Sequence, residues 1–405
     1  MENDISFFTI PPDTRSTEQI QKDSQQFIAL SQEDRQIPQR TPRWYKARLE
    51  MVTASDWATA VGKNPYQSRN SLLMKKQTQD SSFSGSSATM WGQKYEPVAT
   101  SIYEHMSGKT VAEFGLLPHP QYSYLGASPD GITKDGIMIE IKCPSSREIN
   151  GIPPSYYWMQ VQGQLEICDL EVCHFLECRI KEYCSEVDYW KDVQIDQKDT
   201  MKENQFFSGV ILRFLNKQIL RTTGETETKR MYSPVNTFQT PEELENWIQK
   251  TIQEMDSSIW LEESEERTYW CCDLVSIQEI KRDREWFKNT LIQLQQFWIE
   301  VLYGRIGYLQ LKQQGSIVEM TPEERSQFQN VAISMIATPG KRSTTSAKKT
   351  KSTVALKPLP RKNGFQKKAD LESEKNAELE KVQENDEEEK PPVFLMKRSA
   401  FSKKK

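Results

Sequence analysis

Three residues in the stretch YLGASPDGITKDGIMIEIKCP, residues 124–144, have types and spacing that could do chemistry: Asp130, Glu140 and Lys142. Two carboxylates can hold a Mg²⁺ ion, and a nearby lysine can stabilise a deprotonated water and the charge that develops on a phosphate. A metal-dependent phosphodiesterase needs this combination. The alternative interpretation is a hairpin that carries one exposed ion pair, since a bare Asp/Glu-x-Lys spacing arises often by chance.

The same stretch predicts a β-hairpin that would position these groups. Its arms are residues 125–132 and residues 137–143. Asp135-Gly136 between the arms is a dipeptide suited to a tight turn with positive φ. Successive side chains of a strand point to opposite faces, so Glu140 and Lys142 share one face while the isoleucines pack on the other. We therefore expect a carboxylate and an ammonium to emerge together from an apolar strand, beside Asp130 at the end of its partner.

Two motifs of the hairpin occur in full, Ser-Pro-Asp-Gly at residues 128–131 and Glu-Ile-Lys-Cys-Pro at residues 140–144. They resemble the PD-(D/E)xK nucleases, specifically the lambda-type exonuclease family, or YqaJ-like viral recombinases. The resemblance implies an α/β fold with a restriction-endonuclease-like core, a central mixed β-sheet flanked by helices. It also implies a Mg²⁺-dependent deoxyribonuclease, with Mn²⁺ as a substitute metal.

The most direct expectation from the resemblance is a 5′-to-3′ double-strand DNA exonuclease of viral recombination, replication or repair. Two alternatives stay open. One is an endonuclease or structure-specific nuclease on the same core. The other is a non-catalytic DNA-binding recombination factor, which the intact set of Asp130, Glu140 and Lys142 disfavours.

The resemblance also assigns roles to residues at matching positions. The string WYKARLEMVTAS at residues 44–55 matches the family's first motif, and GQKYE at residues 92–96 matches its motif before the hairpin. The implied metal ligands are Glu96, Asp130, Glu140 and the carbonyl of Ile141. The implied catalytic residues are Asp130, Glu140, Lys142 and Gln160. The implied binding residues for DNA and its 5′-phosphate are Arg48, Ser55 and Ser128.

Each of the less central assignments has a plainer alternative. Arg48 would otherwise be a charge on a helix surface, and Ser55 an ordinary N-cap. Glu96 is expected in the first turn of its helix, where the helix dipole favours a carboxylate by itself. Gln160 and Gln164, one turn apart, would otherwise form a polar helix face that covers the sheet.

The chain departs from the family pattern at one metal ligand. The best-known member of the family has a further metal-site aspartate ten residues before the Ser-Pro-Asp aspartate, and a gapless count places Pro120 there. Glu113 is the acid nearest to that position. The resemblance therefore implies that a second metal is weakly held or differently ligated.

The hydrophobic periodicity predicts the elements around the hairpin. Pro42 in the first turn begins a helix, a loop covers residues 77–88, and a helix from Trp91 ends at Gly108. The helices expected further on are residues 156–167, 241–255 and 283–303. The strands expected further on are residues 171–180, 207–214, 218–223 and 268–280.

Composition suggests the domain organisation. We expect a flexible N-terminal extension over residues 1–40, with a short helix near 18–30, and a nuclease domain over residues 41–312, with an elaboration at about 185–266. A helical linker, 313–337, and a disordered charged tail, 338–405, would follow. Residues 341–368 are basic and contain no acid, so they could tether DNA, direct nuclear import or be solvated chain.

The 405 residues carry a net charge of −4 and seven cysteines at irregular spacings. The sequence predicts an intracellular protein, since it shows neither a signal peptide nor an apolar run of membrane-spanning length. The resemblance to viral recombinases implies that its compartment is the host cytoplasm or nucleus. The cysteines at 168, 173, 178 and 184 lack the spacing of a metal motif, so we expect buried thiols and no iron–sulfur cluster. Duplex DNA ends are the expected partner, with a single-strand annealing protein and further copies of the chain as candidates.

Overall fold

Strands with alternating apolar residues and helices with one apolar face make up the part of the chain that the structure describes. This computed structural model covers residues 7–32, 36–79, 86–198, 207–223, 227–238 and 240–314. The strands form one large mixed sheet and one small sheet, and helices pack on both faces of the large sheet. The predicted α/β fold class is confirmed. Almost all of the predicted linker and the whole of the charged tail lie outside the described residues.

The elements follow one another closely along the chain. The helices are α1 Thr17–Leu30, α2 Pro42–Leu49, α3 Trp57–Ala60, α4 Arg69–Thr78, α5 Ser87–Ser107, α6 Ser155–Cys168, α7 Glu186–Lys198, α8 Lys217–Thr223, α9 Pro241–Glu254 and α10 Arg284–Gln314. The strands are β1 Val52–Thr53, β2 Val111–Ala112, β3 Leu117–Pro118, β4 Leu125–Ala127, β5 Gly131–Thr133, β6 Met138–Lys142, β7 Val172–Glu182, β8 Phe207–Asn216, β9 Thr228–Tyr232, β10 Trp260–Glu262 and β11 Thr268–Lys281.

The large sheet has the order β10-β8-β11-β7-β6-β5-β2, with β9 paired to β8. The β6–β7 pair is parallel and the other pairs are antiparallel. α6 makes the crossover between the two parallel strands, as such a connection requires. The small sheet has the order β1-β4-β3.

The predicted hairpin is present, but only the part nearest its turn has both strands in the large sheet. β5 and β6 pair antiparallel, and Gly136 adopts the positive φ of +81° that the turn requires. The first arm, expected as one strand over residues 125–132, is split, because β4 pairs with β1 and β3 in the small sheet. The Ser-Pro-Asp motif therefore lies at the crossing from one sheet to the other.

Two apolar clusters sandwich the large sheet. Ile137, Ile139 and Ile141 pack with α5 on one face, while Met138 packs with α6 and α10 on the other. The expected alternation of the β6 side chains is confirmed. Cys173 and Cys178 of β7 likewise fall into different clusters, as their odd separation predicts.

The N-terminal segment differs from the expected flexible extension. α1 occurs close to the predicted place, but Leu30 packs into the core and the main-chain N–H of Phe8 donates to the carbonyl of Val275 at 2.9 Å. Arg15 is buried and donates to the carbonyl of Asp135, the residue before the turn glycine, at 2.8 Å. These contacts attach the segment to the hairpin, because its apolar side chains find partners that lie far away in sequence.

Further along, the longest elements match the predictions, whereas several shorter ones do not. α2, α6, α9, β7 and β11 lie close to the predicted bounds, and α10 begins at the predicted place but ends later than predicted, at Gln314. Residues 218–223, expected as a strand, belong to helix α8, and the sequence did not predict α4, α7, β9 or β10. The segment expected as an elaboration contributes β8, β9 and β10 to one end of the large sheet and has an apolar cluster of its own. In the described residues, no helix is long and apolar enough to span a membrane.

Candidate active site

Asp130 lies directly before β5, where the chain crosses between the sheets. Its Oδ2 accepts a hydrogen bond from the main-chain N–H of Ile141 at 2.7 Å, so the carboxylate is fixed beside β6. Two residues earlier, the hydroxyl of Ser128 accepts from the indole N–H of Trp44 at 3.1 Å. α2 is thereby attached to the crossing, and the Ser-Pro-Asp segment is held from both sides.

Glu140 is fully buried in the middle of β6. The ammonium of Lys142 contacts its Oε1, the amide nitrogen of Gln160 donates to the same oxygen at 2.5 Å, and that of Gln164 donates to Oε2 at 2.6 Å. Both glutamines lie one turn apart on α6, so one helix face covers the carboxylate. The three donors offset the cost of burying this charge.

The charged groups of the cluster shift one another's pKa values. Burial, together with the nearby carboxylates of Glu140 and Glu96, raises the pKa of Asp130 well above its usual range. Burial would lower the pKa of the Lys142 ammonium, but Glu140 and Asp130 outweigh burial and raise it, which keeps the lysine charged. The cluster therefore places several carboxylates together where little water reaches them, and the ammonium of Lys142 compensates part of their negative charge.

Glu96 joins the cluster from α5. Because α5 begins at Ser87, Glu96 lies well past the first turn, and the explanation from the helix dipole is wrong. Its Oε2 accepts from a guanidinium nitrogen of Arg40 at 2.9 Å. Burial raises the pKa of Glu96; the cations of Arg40 and Lys142 oppose this rise, and the charges of Glu140 and Glu113 add to it. Glu113 is itself exposed.

A cleft of ≈ 650 Å³ gives access to the cluster. Asp130, Lys142 and Glu96 are among its lining residues, together with Arg147 and Tyr157. The ammonium of Lys142 lies 4.7 Å from the ring centre of Tyr157, and the guanidinium of Arg147 pairs with the buried carboxylate of a β7 glutamate, Glu177. Within the described residues, no group of three or more His, Cys, Asp or Glu side chains is placed to hold a metal ion unaided.

An adjoining pocket of ≈ 280 Å³ contains Arg48, and it shares Glu96 with the cleft. Arg48 is half-buried, lies 4.4 Å above the ring of Trp44, and donates to the hydroxyl of Ser55 at 3.0 Å. Arg48 is therefore not a plain surface charge. Ser55 is not the N-cap of its helix either, since Thr53 forms the capping box there.

A buried ion pair in the wall of this pocket holds it in shape. The ammonium of Lys76 donates to the carboxylate of Asp56 at 2.7 Å and to two main-chain carbonyls at the end of α2. Asp56 also accepts from the hydroxyl of Thr53 at 2.7 Å, and that hydroxyl lies 3.1 Å from Ser55. Burial would raise the pKa of Asp56, but Lys76 and Arg48 lower it below its usual range, so the carboxylate stays charged.

α6 packs unusually close to α3 and to the short turn before it that contains Ser55. A Cβ on Gly163 would stand 2.9 Å from the ring of Trp57, so only glycine allows this approach. The helix can then present Gln160 and Gln164 to Glu140 while it packs against the residues behind Ser55.

The site residues expected from sequence thus fall into two adjoining groups. The group around the carboxylates contains Asp130, Glu140, Ile141, Lys142, Gln160 and Glu96, and the second group contains Arg48, Ser55 and Ser128. Sequence reasoning missed Arg40, Arg147 and the contact of Gln164 with Glu140. The contact of Gln164 could have been predicted from the sequence, because Gln164 lies one helical turn from Gln160. The sequence around Arg40 and Arg147 contains no pattern that indicates their contacts.

Comparison with known proteins gives the following relatives. Residues 43–171 match the family model described as YqaJ-like viral recombinase domain. An uncharacterized protein of Acanthamoeba polyphaga mimivirus is 30% identical over 315 residues, which cover 72% of this chain and 57% of that protein. A protein of African swine fever virus is 27% identical over 172 residues, 35% of this chain and 49% of that protein. The chain thus spans about half the length of the curated relatives it matches.

Among solved structures, an alkaline exonuclease from Laribacter hongkongensis is 21% identical, with a TM-score of 0.38, over 67% of this chain and 98% of that one. A phage-related exonuclease from Haemophilus somnus is 10% identical, with a TM-score of 0.32, over 66% of this chain and 96% of that one.

Proposed function

Because residues 43–171 carry the YqaJ-like viral recombinase domain, we propose that the protein is a metal-dependent deoxyribonuclease that hydrolyses phosphodiester bonds. The observation that carries the proposal is the convergence of Asp130, Glu140 and Lys142: Asp130 and Lys142 line one cleft, and Lys142 contacts the buried Glu140. Chance spacing on an exposed hairpin would not place a fully buried glutamate between a lysine and two glutamine donors.

The donor set fits Mg²⁺, with Mn²⁺ as a substitute. Asp130, Glu140 and the carbonyl of Ile141 would hold the ion, with Glu96 assisting. Mg²⁺ usually takes one or two carboxylates and completes its coordination with water and substrate phosphate. The raised pKa of Asp130, caused by burial and by the neighbouring carboxylates, indicates uncompensated negative charge that a divalent cation would neutralise.

When bound, the metal would supply charge neutralisation and polarise the scissile phosphate. Lys142 would orient the attacking water and stabilise the charge that develops on the phosphate. Gln160 and Gln164 hold both oxygens of Glu140, so the carboxylate keeps its direction during the reaction. Gln160 would also face the substrate.

Arg48, Ser55 and Ser128 would bind a terminal 5′-phosphate and so select DNA ends over internal sites. Arg48 offers a planar pair of donors, and the hydroxyls add short hydrogen bonds. The pocket of Arg48 adjoins the carboxylate cleft, which supports a 5′-to-3′ double-strand exonuclease. We place this activity in viral recombination, replication or repair, with a single-strand annealing protein as a candidate partner.

One digestion experiment tests the proposal. The full chain is incubated with Mg²⁺ and either linear or covalently closed duplex DNA, with Lys142→Ala protein and EDTA as controls. Cleavage of linear DNA alone, absent in both controls, is the expected result. Cleavage of both substrates would indicate an endonuclease on the same core. Cleavage of neither substrate, with DNA still bound, would overturn the nuclease proposal in favour of a DNA-binding factor.

A further inference from the structure

Two tyrosines with exposed edges line the catalytic cleft. Tyr66 lies in the loop between α3 and α4 and is 76% exposed, and Tyr156 lies in the first turn of α6. Their rings meet nearly at right angles, with centroids 5.6 Å apart. Both residues line the cleft that contains Asp130 and Lys142. Core packing does not require a large ring that is so exposed, so its place in the cleft calls for another reason.

The tyrosines continue inward to the charged groups. The ring of Tyr156 lies 4.4 Å from that of Tyr157, and the ammonium of Lys142 lies 4.7 Å from the centre of the Tyr157 ring. Arg147 approaches the same inner ring at 5.9 Å. The ring of Tyr157 therefore already contacts two cations, whereas the rings of Tyr66 and Tyr156 lie closer to solvent.

The loop that carries Tyr66 is held by local hydrogen bonds. The side-chain oxygen of Asn64 accepts from the main-chain N–H of Tyr66 at 2.9 Å, and its amide nitrogen donates to the hydroxyl of Thr59 at 2.8 Å. Thr59 is buried in α3. A ring presented from such a loop loses little conformational entropy when it binds a ligand.

We propose that Tyr66 and Tyr156 form a stacking subsite for an unpaired nucleobase of the strand whose phosphate lies at Lys142. The proposal rests on the proposed nuclease function and adds a subsite to it. Aromatic rings stack on bases with little regard to sequence, because every base has a π-face. Bases inside a duplex are stacked on both faces, so a free face is available only at a duplex end, and an unpaired base there can also turn that face toward a protein ring. The subsite therefore takes a frayed or single-stranded end, next to the cations that contact its backbone.

Photo-crosslinking tests the contact without requiring hydrolysis. Duplex DNA with 5-iodouracil at the terminal or an adjoining position is bound to the full chain, with Ca²⁺ in place of Mg²⁺, and irradiated. The expected adducts map to Tyr66 or Tyr156 by mass spectrometry, and they disappear when the iodouracil lies deep inside the duplex. DNA that binds and yields no adduct at either tyrosine would overturn the proposal.

Kinetics supply the second measurement. Tyr66→Ala should raise the KM for blunt duplex DNA by roughly five- to a hundredfold, the size of one base–aromatic stack, with most of the effect on KM rather than kcat. Tyr66→Phe, which keeps the ring, should rescue the KM. Leu261→Ala is the matched control, because Leu261 is 51% exposed on β10, at the other end of the large sheet.

The outcomes separate the two proposals. Adducts at Tyr66 or Tyr156 without any hydrolysis by the wild type would refute the nuclease and keep the stacking subsite. Hydrolysis with an unchanged KM in Tyr66→Ala and in Tyr156→Ala would refute the subsite alone. Because Tyr66 is largely exposed, melting temperatures of its variants should equal that of the wild type, which excludes misfolding as a cause.

Discussion

At the scale of single residues, the candidate site is an unusual concentration of buried charge. Glu140 is fully buried yet has a donor for each oxygen, whereas Asp130 has one main-chain N–H and two neighbouring carboxylates. In the absence of a bound cation, such an arrangement lowers the free energy of unfolding. Proteins keep destabilising arrangements of this kind at sites where function requires them. The cost can be measured.

Asp130→Asn should stabilise the metal-free protein at neutral pH. The pKa of Asp130 is higher in the folded than in the unfolded chain, so the folded state binds more protons and stability falls as the pH rises above the ordinary value of 3.8. Asparagine keeps a side-chain oxygen that can accept the hydrogen bond from the main-chain N–H of Ile141, but it carries no charge. We expect a gain of about 1 kcal/mol, or a few degrees in melting temperature, at pH 7.

Thermal unfolding in EDTA across a pH series would check this prediction. The gain should shrink toward acid pH, where the aspartate of the wild type becomes neutral. A variant that is less stable than the wild type at every pH would show that Asp130 supports the fold by its charge. DNA cleavage by Asp130→Asn should be nearly abolished under all these conditions.

Arg48→Ala should remove any preference for 5′-phosphorylated over 5′-hydroxyl DNA ends. A hydrogen bond to a charged group contributes about 1.5–3 kcal/mol, which is roughly ten- to a hundredfold in rate. Initial rates on matched blunt duplexes with the two kinds of end would measure the preference. Arg43→Ala is a suitable control, because Arg43 lies on the exposed start of the same helix, α2. If the wild type cuts both ends equally, Arg48 does not bind a terminal phosphate.

At the scale of elements, the hairpin depends on a distant helix. Arg15, just before α1, is buried and donates to the carboxylate of Asp23 at 2.9 Å and to the carbonyl of Asp135 at 2.8 Å. A Cβ on Gly136 would stand 2.4 Å from the Cβ of Asp23, so α1 lies directly against the turn. The N-terminal helix therefore supports the turn that joins β5 to β6.

Arg15→Leu should destabilise the protein by about 3–5 kcal/mol, because it leaves the buried carboxylate of Asp23 without its cation. Urea unfolding would give the size of the loss. In the double variant Arg15→Leu/Asp23→Leu no fully buried charge is left unpaired, since Asp13, the other carboxylate that Arg15 contacts at 2.8 Å, is exposed, so we expect much of the stability to return. A double variant that is even less stable than Arg15→Leu would mean that the pair acts through packing and not through charge.

At the scale of the whole molecule, the segregation of charge matters more than the net charge of −4. Residues 341–368 are basic and free of acid, while residues 370–390 are rich in glutamate. Both stretches lie outside the described residues. From sequence alone, the basic stretch is suited to bind phosphates without regard to base sequence.

A chain that ends at Ala337 should therefore bind DNA more weakly at low salt and show a shallower dependence of affinity on salt. Each phosphate that the tail neutralises should account for about 0.9 of the slope of log affinity against log salt on duplex DNA. Binding isotherms of the full and the shortened chain at several salt concentrations would measure both slopes. The single-turnover cleavage rate of bound DNA should not change. Equal slopes would assign the tail to targeting or to a protein partner, and a lower rate would place the domain boundary further along.

The sequence alone determined the local features of this protein. The Asp-Gly turn, the alternation in β6 and the bounds of α6 and β11 follow from backbone preferences and apolar periodicity, which are encoded within a few residues. The types and spacing of Asp130, Glu140 and Lys142 are also encoded within a few residues, and the metal-dependent chemistry that they indicate stays a prediction. Residues 218–223 fit a strand by composition, yet they form α8, because short apolar stretches do not distinguish strand from helix.

Tertiary structure decided which distant residues meet. Arg40 reaches Glu96, Tyr66 reaches Tyr156, and the first arm of the hairpin breaks because β4 finds partners in a different sheet. None of these contacts can be predicted from a periodic pattern in the sequence, since each depends on how separate elements pack. The N-terminal segment shows this most directly: its polar composition suggested a flexible extension, but burial of Arg15 with Asp23 against the turn makes it part of the domain.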